Sequence, residues 1–337
     1  MLGFDERRYG SVLGGAVSLR PQIEKLAAEI VAAEPNTLFL VGSGGSYAAM
    51  WPYEYLLTTR SALPVRSVIA AELVAAGNRQ LTERSVVLLS SLSGTTRETV
   101  AAAEYCRARG VRTIGMTGDP NSPLAQVVDH VLVNPADDET ASESYDIQLT
   151  LLSAAILHSL GEFDTYPRFA EQMDGIEAVL RAVQEQADPV AASFAARHST
   201  TEYHMLVGSG PLWGFTYNYS MCILEEMQWL RTTRVHGAEF FHGSLELVER
   251  DTSLILFIGE DETRPLMDRV RGFAERYSDS VTVFDSADYA LAGIDAEFRG
   301  LLGPLVMDSV TIRLSKHLEQ VRDHPLDLRR YYRVVDY

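Results

Sequence analysis

Glu226 and His242 are the side chains of this 337-residue chain best suited to moving protons. Both lie in "YNYSMCILEEMQWLRTTRVHGAEFFHGSLELVE" (217–249). On an α-helix Tyr219, Cys222, Ile223, Glu226 and Leu230 share one face, which puts Glu226 on an apolar stripe with Glu225 about 100° round. A carboxylate so placed can act as a proton shuttle. The alternative is a glutamate at a helix edge, solvated or paired with Arg231 or Arg234. His236, Glu239 and His242 stand three apart, which raises the question of a metal. Metal-binding helices use i, i+4 pairs, and Gly237 with Phe240 and Phe241 disfavours a regular helix, so no metal is expected. His242, next to Gly243 in a loop after a strand-like "EFF", fits acid–base work better. A loop histidine bonded to backbone is the plain alternative.

A second cluster is made of hydroxyls. "SSLSGTTRE" (90–98) follows the apolar run "SVVLL". Ser91, Ser93, Thr95 and Thr96 offer hydroxyl donors, and a helix N-terminus offers free N–H groups and partial positive charge. Together they suit one phosphate. The competing reading is an N-cap by Ser93 or Thr95, with Glu98 as the capping-box acid. The two can coexist. "GSGGSY" (42–47) makes a second turn of this kind. It lacks the third glycine of the dinucleotide fingerprint, where Tyr47 stands, and the acid about twenty residues on. It also lacks the Gly-Lys-Ser/Thr of a P-loop.

These residues need a scaffold. Apolar runs at 37–46, 65–73, 85–94, 111–119 and 130–136 alternate with helical stretches, the signature of a parallel sheet covered by helices. Ligands of such sheets gather at the carboxyl ends of strands, where "GSGGS" and "SSLSGTT" both fall. The layout then repeats. "HMLVGSGPL" (204–212) echoes "LFLVGSGGS" (38–46) at an offset of 166 residues, and later runs do so at about the same distance. That period indicates a duplicated domain. The expected limits are 20–160 for the first domain, 161–199 for a helical connection, 200–322 for the second domain and 323–337 for a tail. In the second copy "GEDETR" (259–264) puts acids where the first has hydroxyls, so one phosphate site per chain is expected.

Composition narrows the partners. The formal net charge of −17 argues against nucleic acid and anionic membranes. No run approaches the twenty apolar residues of a membrane span, and "MLGFDERRYG" carries no signal-peptide h-region. Two cysteines, Cys106 and Cys222, form no disulfide framework and fit a reducing cytoplasm.

The pair "VGSGGSY" and "LSSLSGTTRET" resembles the sugar isomerase (SIS) domain, and two copies in tandem resemble the isomerase half of glucosamine-6-phosphate synthase. The resemblance implies an α/β fold of two SIS domains, each a three-layer αβα, flavodoxin-like unit. It implies that Ser46, Ser91, Ser93 and Thr96 bind a sugar phosphate. In the synthase-like isomerases a glutamate precedes an E-x-x-H-G motif at the sixteen-residue spacing that separates Glu226 from His242. There the Glu moves protons on the sugar and the His opens its ring. Gly45, Glu239 and Arg330 would be substrate contacts.

"EFFHGSLELVERDTSLILFIGEDETR" and "HPLDLRRYYRVVDY" further resemble the fructoselysine 6-phosphate deglycase group. Its members cleave phosphorylated Amadori compounds to glucose 6-phosphate and an amine or amino acid. The synthase has a Schiff-base lysine near its C-terminus, and matching the tails puts Arg330 there. Arginine stays protonated and cannot form an imine. An Amadori substrate brings its own nitrogen. The resemblance thus implies a deglycase with no cofactor, acting as a homodimer whose His comes from the neighbouring subunit. Its rivals are another SIS deaminase or ketose/aldose isomerase, and a non-catalytic sugar-phosphate sensor. Products separate the enzymes, and proton exchange at C1 separates them from a sensor.

Overall fold

Short aliphatic runs build two parallel sheets. A computed structural model describes residues 1–136 and 140–336. The strands of the first sheet are β1 (Leu38–Gly42), β2 (Val65–Ile69), β3 (Val86–Ser90), β4 (Arg112–Thr117) and β5 (His130–Val133), in the order β2-β1-β3-β4-β5. All its pairings are parallel. β1 and β3 are buried at every position, as central strands covered on both faces must be. Phe39, Val41, Val87 and Leu89 pack on Ala102, Ala103 and Cys106 of the helix Arg97–Arg107. The helix Ala141–Ser159 is buried from Glu143 to Leu157.

The second sheet holds β6 (Tyr203–Gly208), β7 (Arg231–His236), β8 (Leu254–Ile258) and β9 (Val281–Asp285), in the order β7-β6-β8-β9. The order matches the first sheet strand for strand, without a fifth strand among the described residues. One face packs Met205, Val207, Leu254 and Leu256 on Phe240, Met267 and Val270. The chain divides into two compact units, Asp5–Glu177 and Ala178–Tyr337 with Met1–Phe4. Arg313 explains why the first four residues go with the second unit. Its fully buried guanidinium donates to the carbonyl of Leu2 at 2.7 Å and to Asp188 at 2.7 Å.

The α/β architecture of two parallel sheets is the one the alternating runs require, and local readings need four corrections. Residues 70–73, read as the end of a strand, begin the helix Ala70–Ala76, because an alanine-rich run favours helix and Gly77 stops it at φ +68°. Residues 231–236, unassigned in the sequence, form β7, an edge strand too rich in Arg and Thr to look apolar. "EFF" is no strand. The chain turns after β7, and Phe240–His242 is a 3-10 turn anchored by fully buried Phe240. The segment Tyr219–Glu225 is a π-helix, not an α-helix.

Candidate active site

The loops carrying the hydroxyls leave the carboxyl ends of neighbouring strands, since β1 pairs directly with β3. At the end of β1 a side chain would be crowded at Gly42, where a Cβ would lie 3.0 Å from the backbone nitrogen of Tyr47. The next turn passes through Gly44 at φ +55° into the short helix Gly44–Ala48, which carries Gly45 and Ser46. The half-buried Ser46 hydroxyl has no hydrogen bond among the described residues.

The loop 91–96 is pinned to β4. Ser91 N–H donates to the Met116 carbonyl at 3.1 Å, and Gly118 N–H to the Leu92 carbonyl at 2.8 Å. Its hydroxyls pair with each other, Ser91 with Thr96 at 2.9 Å and Ser93 with Thr95 at 2.8 Å. The N-cap of the following helix is Thr96, and it makes no side-chain cap bond. Capping by Ser93 or Thr95 with Glu98 is therefore not what the loop does. Among the described residues the first-turn N–H groups take no partner, beside hydroxyls that bond one another and, at Ser93, the N–H of Thr95 at 3.3 Å.

In the second unit the matching loop is closed from within. Asp261 accepts from the N–H of Thr263 at 2.8 Å and from its hydroxyl at 2.6 Å. Ser209, at the end of β6, bonds Thr263 at 2.8 Å.

Glu225 and Glu226 end the π-helix and go separate ways. Glu226 N–H donates to the Met221 carbonyl at 3.0 Å, and Gln228 N–H to that of Ile223 at 3.0 Å, both i→i−5 bonds. The wider turn voids the α-helical phase used to place Glu226. Glu225 faces β7. It accepts a short bond from the Thr232 hydroxyl, and Arg234 Nη1 lies 3.1 Å from both its oxygens. Arg234 in turn lies over the Tyr217 ring at 4.6 Å. Arg231 pairs with Glu202 instead. Glu226 therefore takes neither arginine named for it from the sequence. It receives Nε of Arg329 at 2.9 Å, from the C-terminal segment.

That segment docks on the turn after the π-helix. Trp229 adopts φ +54°, a left-handed conformation for a bulky residue. The Trp229 ring meets the His324 ring at 4.4 Å and the Arg330 guanidinium at 3.9 Å. Gln228 Nε2 donates to the His324 carbonyl at 3.0 Å. Beside them opens a cavity of about 660 Å³ whose walls include Glu226, Trp229, Arg322, Arg329, Arg330 and Tyr332. Arg330, expected to contact substrate, is on this wall but stacked on Trp229. Arg329, one residue earlier, reaches the carboxylate. Its only sequence signal was the adjacent pair of arginines. The chain has two lysines, Lys25 and Lys316, and neither lines the cavity. Burial, reinforced by Glu226 and Glu225, pushes the Cys222 thiol up to about 12, so it is no nucleophile.

His242 is exposed, and no hydrogen bond or ion pair joins it to Glu226 among the described residues. Glu239 is exposed too, its carbonyl accepting from His242 N–H at 2.9 Å. His236 points elsewhere. Its Nδ1 accepts from Ala238 N–H at 3.1 Å, and burial lowers its pKa. Among the described residues no three His, Cys, Asp or Glu side chains gather as metal ligands would. Nor is any helix there long and apolar enough to cross a membrane. Both cysteines are free.

Comparison with known proteins adds the following. Residues 33–158 match the SIS domain. The chain is 36% identical over 306 residues to the fructosamine deglycase FrlB of Bacillus subtilis (strain 168), spanning 89% of this chain and 92% of that protein. It is 25% identical over 320 residues to the fructoselysine 6-phosphate deglycase of Escherichia coli (strain K12), spanning 93% and 90%. A Bacillus subtilis crystal structure assigned as a phosphosugar isomerase superposes with a TM-score of 0.85 at 35% identity, covering 90% of this chain and 93% of that one.

Proposed function

This chain belongs to the SIS-domain family, and on that premise we propose that it is a deglycase cleaving a fructosamine 6-phosphate with water to glucose 6-phosphate and a free amine or amino acid. The observation that carries the reading is the wall around Glu226. It presents arginines and no lysine, so the protein has no amine there to form an imine with a keto sugar. A substrate that already bears nitrogen at C1 needs none.

The chemistry balances without an oxidant or reductant. Phosphate is held by Ser46, Ser91, Ser93, Thr96 and the open N–H groups of the helix Arg97–Arg107. His242 assists opening of the furanose ring. Glu226 takes a proton from C1, and the C2 carbonyl oxygen gains one, giving the enaminol. A proton then returns to C2 and leaves an imine at C1. Water adds there, the C1–N bond breaks, and the amine leaves with a proton. A positioned carboxylate typically supplies about 10²–10⁴-fold in such steps. Binding through the non-reacting phosphate supplies orientation. The exposed His242 suits donation to a second copy of the chain, so the acting form is a homodimer.

The test is a product assay on a panel of fructosamine 6-phosphates, with Glu226→Gln alongside. Glucose 6-phosphate and free amine should form in equal amounts, and the variant should bind substrate without turning it over. Ammonia from an aminosugar phosphate, or isomerisation alone, would replace the deglycase reading. An active Glu226→Gln would remove the residue from the chemistry.

A further inference from the structure

We infer that Arg329 is the positioning residue for the Glu226 carboxylate, and that the C-terminal segment exists in part to deliver it. The inference rests on Glu226 being the base. A glutamate side chain turns about three bonds, and general-base chemistry requires it within hydrogen-bond reach of one particular proton. Something must hold it. The neighbouring Glu225 is held by β7 through Thr232 and Arg234. Glu226 has one partner among the described residues, Nε of Arg329 at 2.9 Å. That bond engages Oε1 and leaves Oε2 to take a proton.

Arg329 is itself immobilised. Its Nη1 donates to the carbonyls of Leu326 at 2.5 Å and Leu328 at 3.1 Å, so the turn of the segment grips its own guanidinium. The turn is fixed in its place in three ways. Leu326 N–H donates to Glu319 Oε1 at 2.9 Å, on the helix Gly303–Arg322. Gln228 bonds the His324 carbonyl at 3.0 Å. Trp229 is packed by His324 and Arg330. Gln228 and Trp229 lie two and three residues past Glu226, the cap of the π-helix, so the segment clasps the backbone beside the base while Arg329 orients its side chain. The Arg329 side chain is 17% exposed and that of Glu226 31%, so the bond is partly shielded while the carboxylate stays open to the cavity.

The experiment uses the full chain and a fructosamine 6-phosphate the wild type turns over. Variants are Arg329→Ala, Arg329→Lys and Glu226→Gln. A misplaced catalytic group can lose on the order of 10²-fold. Arg329→Ala should accordingly lower kcat roughly ten- to a hundredfold with KM changed less than about threefold. Methylguanidinium in the assay should restore part of the loss, and Arg329→Lys should fall between the two. A residue that only supports the fold would not be rescued by an added guanidinium. Wild-type kcat in Arg329→Ala overturns the proposal. So does a rise in KM alone, which would make Arg329 a substrate contact, or a loss that methylguanidinium leaves untouched. Glu226→Gln separates the two levels. If it still turns over, the base is elsewhere. If it is dead while Arg329→Ala keeps its kcat, only the positioning role fails.

Discussion

A hydroxyl bonded only to another hydroxyl gives up little when a phosphate oxygen replaces its partner. That is the state of Ser91 with Thr96, and Ser93 with Thr95 differs only in that the Ser93 oxygen also accepts the Thr95 N–H at a long 3.3 Å. Each bond to a charged oxygen is worth roughly 1.5–3 kcal/mol, about ten- to a hundredfold in affinity. Ser93→Ala and Thr96→Ala should therefore each raise KM for a phosphorylated substrate by about that factor, with the thermal midpoint nearly unchanged. Equal turnover of the unphosphorylated compound would show the loop to be structural only. In the sequence these hydroxyls stood out as a polar run after a buried strand, with phosphate binding and helix capping both open, and the structure shows that neither Ser93 nor Thr95 caps the helix. Glu226 was legible as a candidate, but its partner was not. Arg329 and Arg330 are chemically alike and adjacent, and only the docking of His324 on Gln228 and Trp229 sets which one turns inward.

Among the elements, the π-helix Tyr219–Glu225 and the C-terminal segment lay furthest from sequence reasoning. A periodicity of 3.6 residues finds an apolar face and cannot reveal one wider turn inside it. β7 escaped for a similar reason, because Arg231, Thr232, Thr233 and Arg234 carry no apolar signal. Those polar residues have their own use. Thr232 and Arg234 hold Glu225 and so fasten the π-helix to the sheet. Glu225→Gln should thus disturb the support of the site and keep most activity, where Glu226→Gln, if Glu226 is the base proposed above, should abolish turnover. The segment is a separate attachment on the other side of the turn. Deleting residues 329–337 removes Arg329 and Arg330 but leaves the bond from Gln228 to His324. It should cut kcat/KM far more than stability, because the deleted residues bury little. Kinetics and a thermal scan on the truncated chain decide this, and an unchanged kcat/KM would place both arginines outside the chemistry.

At the scale of the molecule, two histidines inside the second unit set its tolerance of acid. His198 and His204 are buried against Phe194, with His204 bonded to Ser253 and His198 to Thr201. Burial, then the neighbouring positive Arg197, presses His198 down to about 4. Burial, then His198 and Arg322, presses His204 down to about 3. Unfolded, each takes its proton near pH 6.5. The unfolded state therefore binds more protons as pH falls below that value, and stability is lost from about 6.5 down toward the folded values. Urea midpoints should drop between about pH 7.5 and about pH 5. His204→Asn should flatten the drop, and a wild-type midpoint constant across that range would contradict the burial argument. The duplicated layout was also legible, since the two Gly-rich strand ends repeat almost letter for letter. What repetition could not show is how the second copy differs inside. There Asp261 sits against the amide and hydroxyl of Thr263, a negative group already seated where the first copy has only hydroxyls. The later copy carries a permanent imitation of an anion, built from its own chain. Like charge should bar a second anion here, and this half already holds from within the kind of bonds that a phosphate would supply in the first, a fixed bench for Glu226.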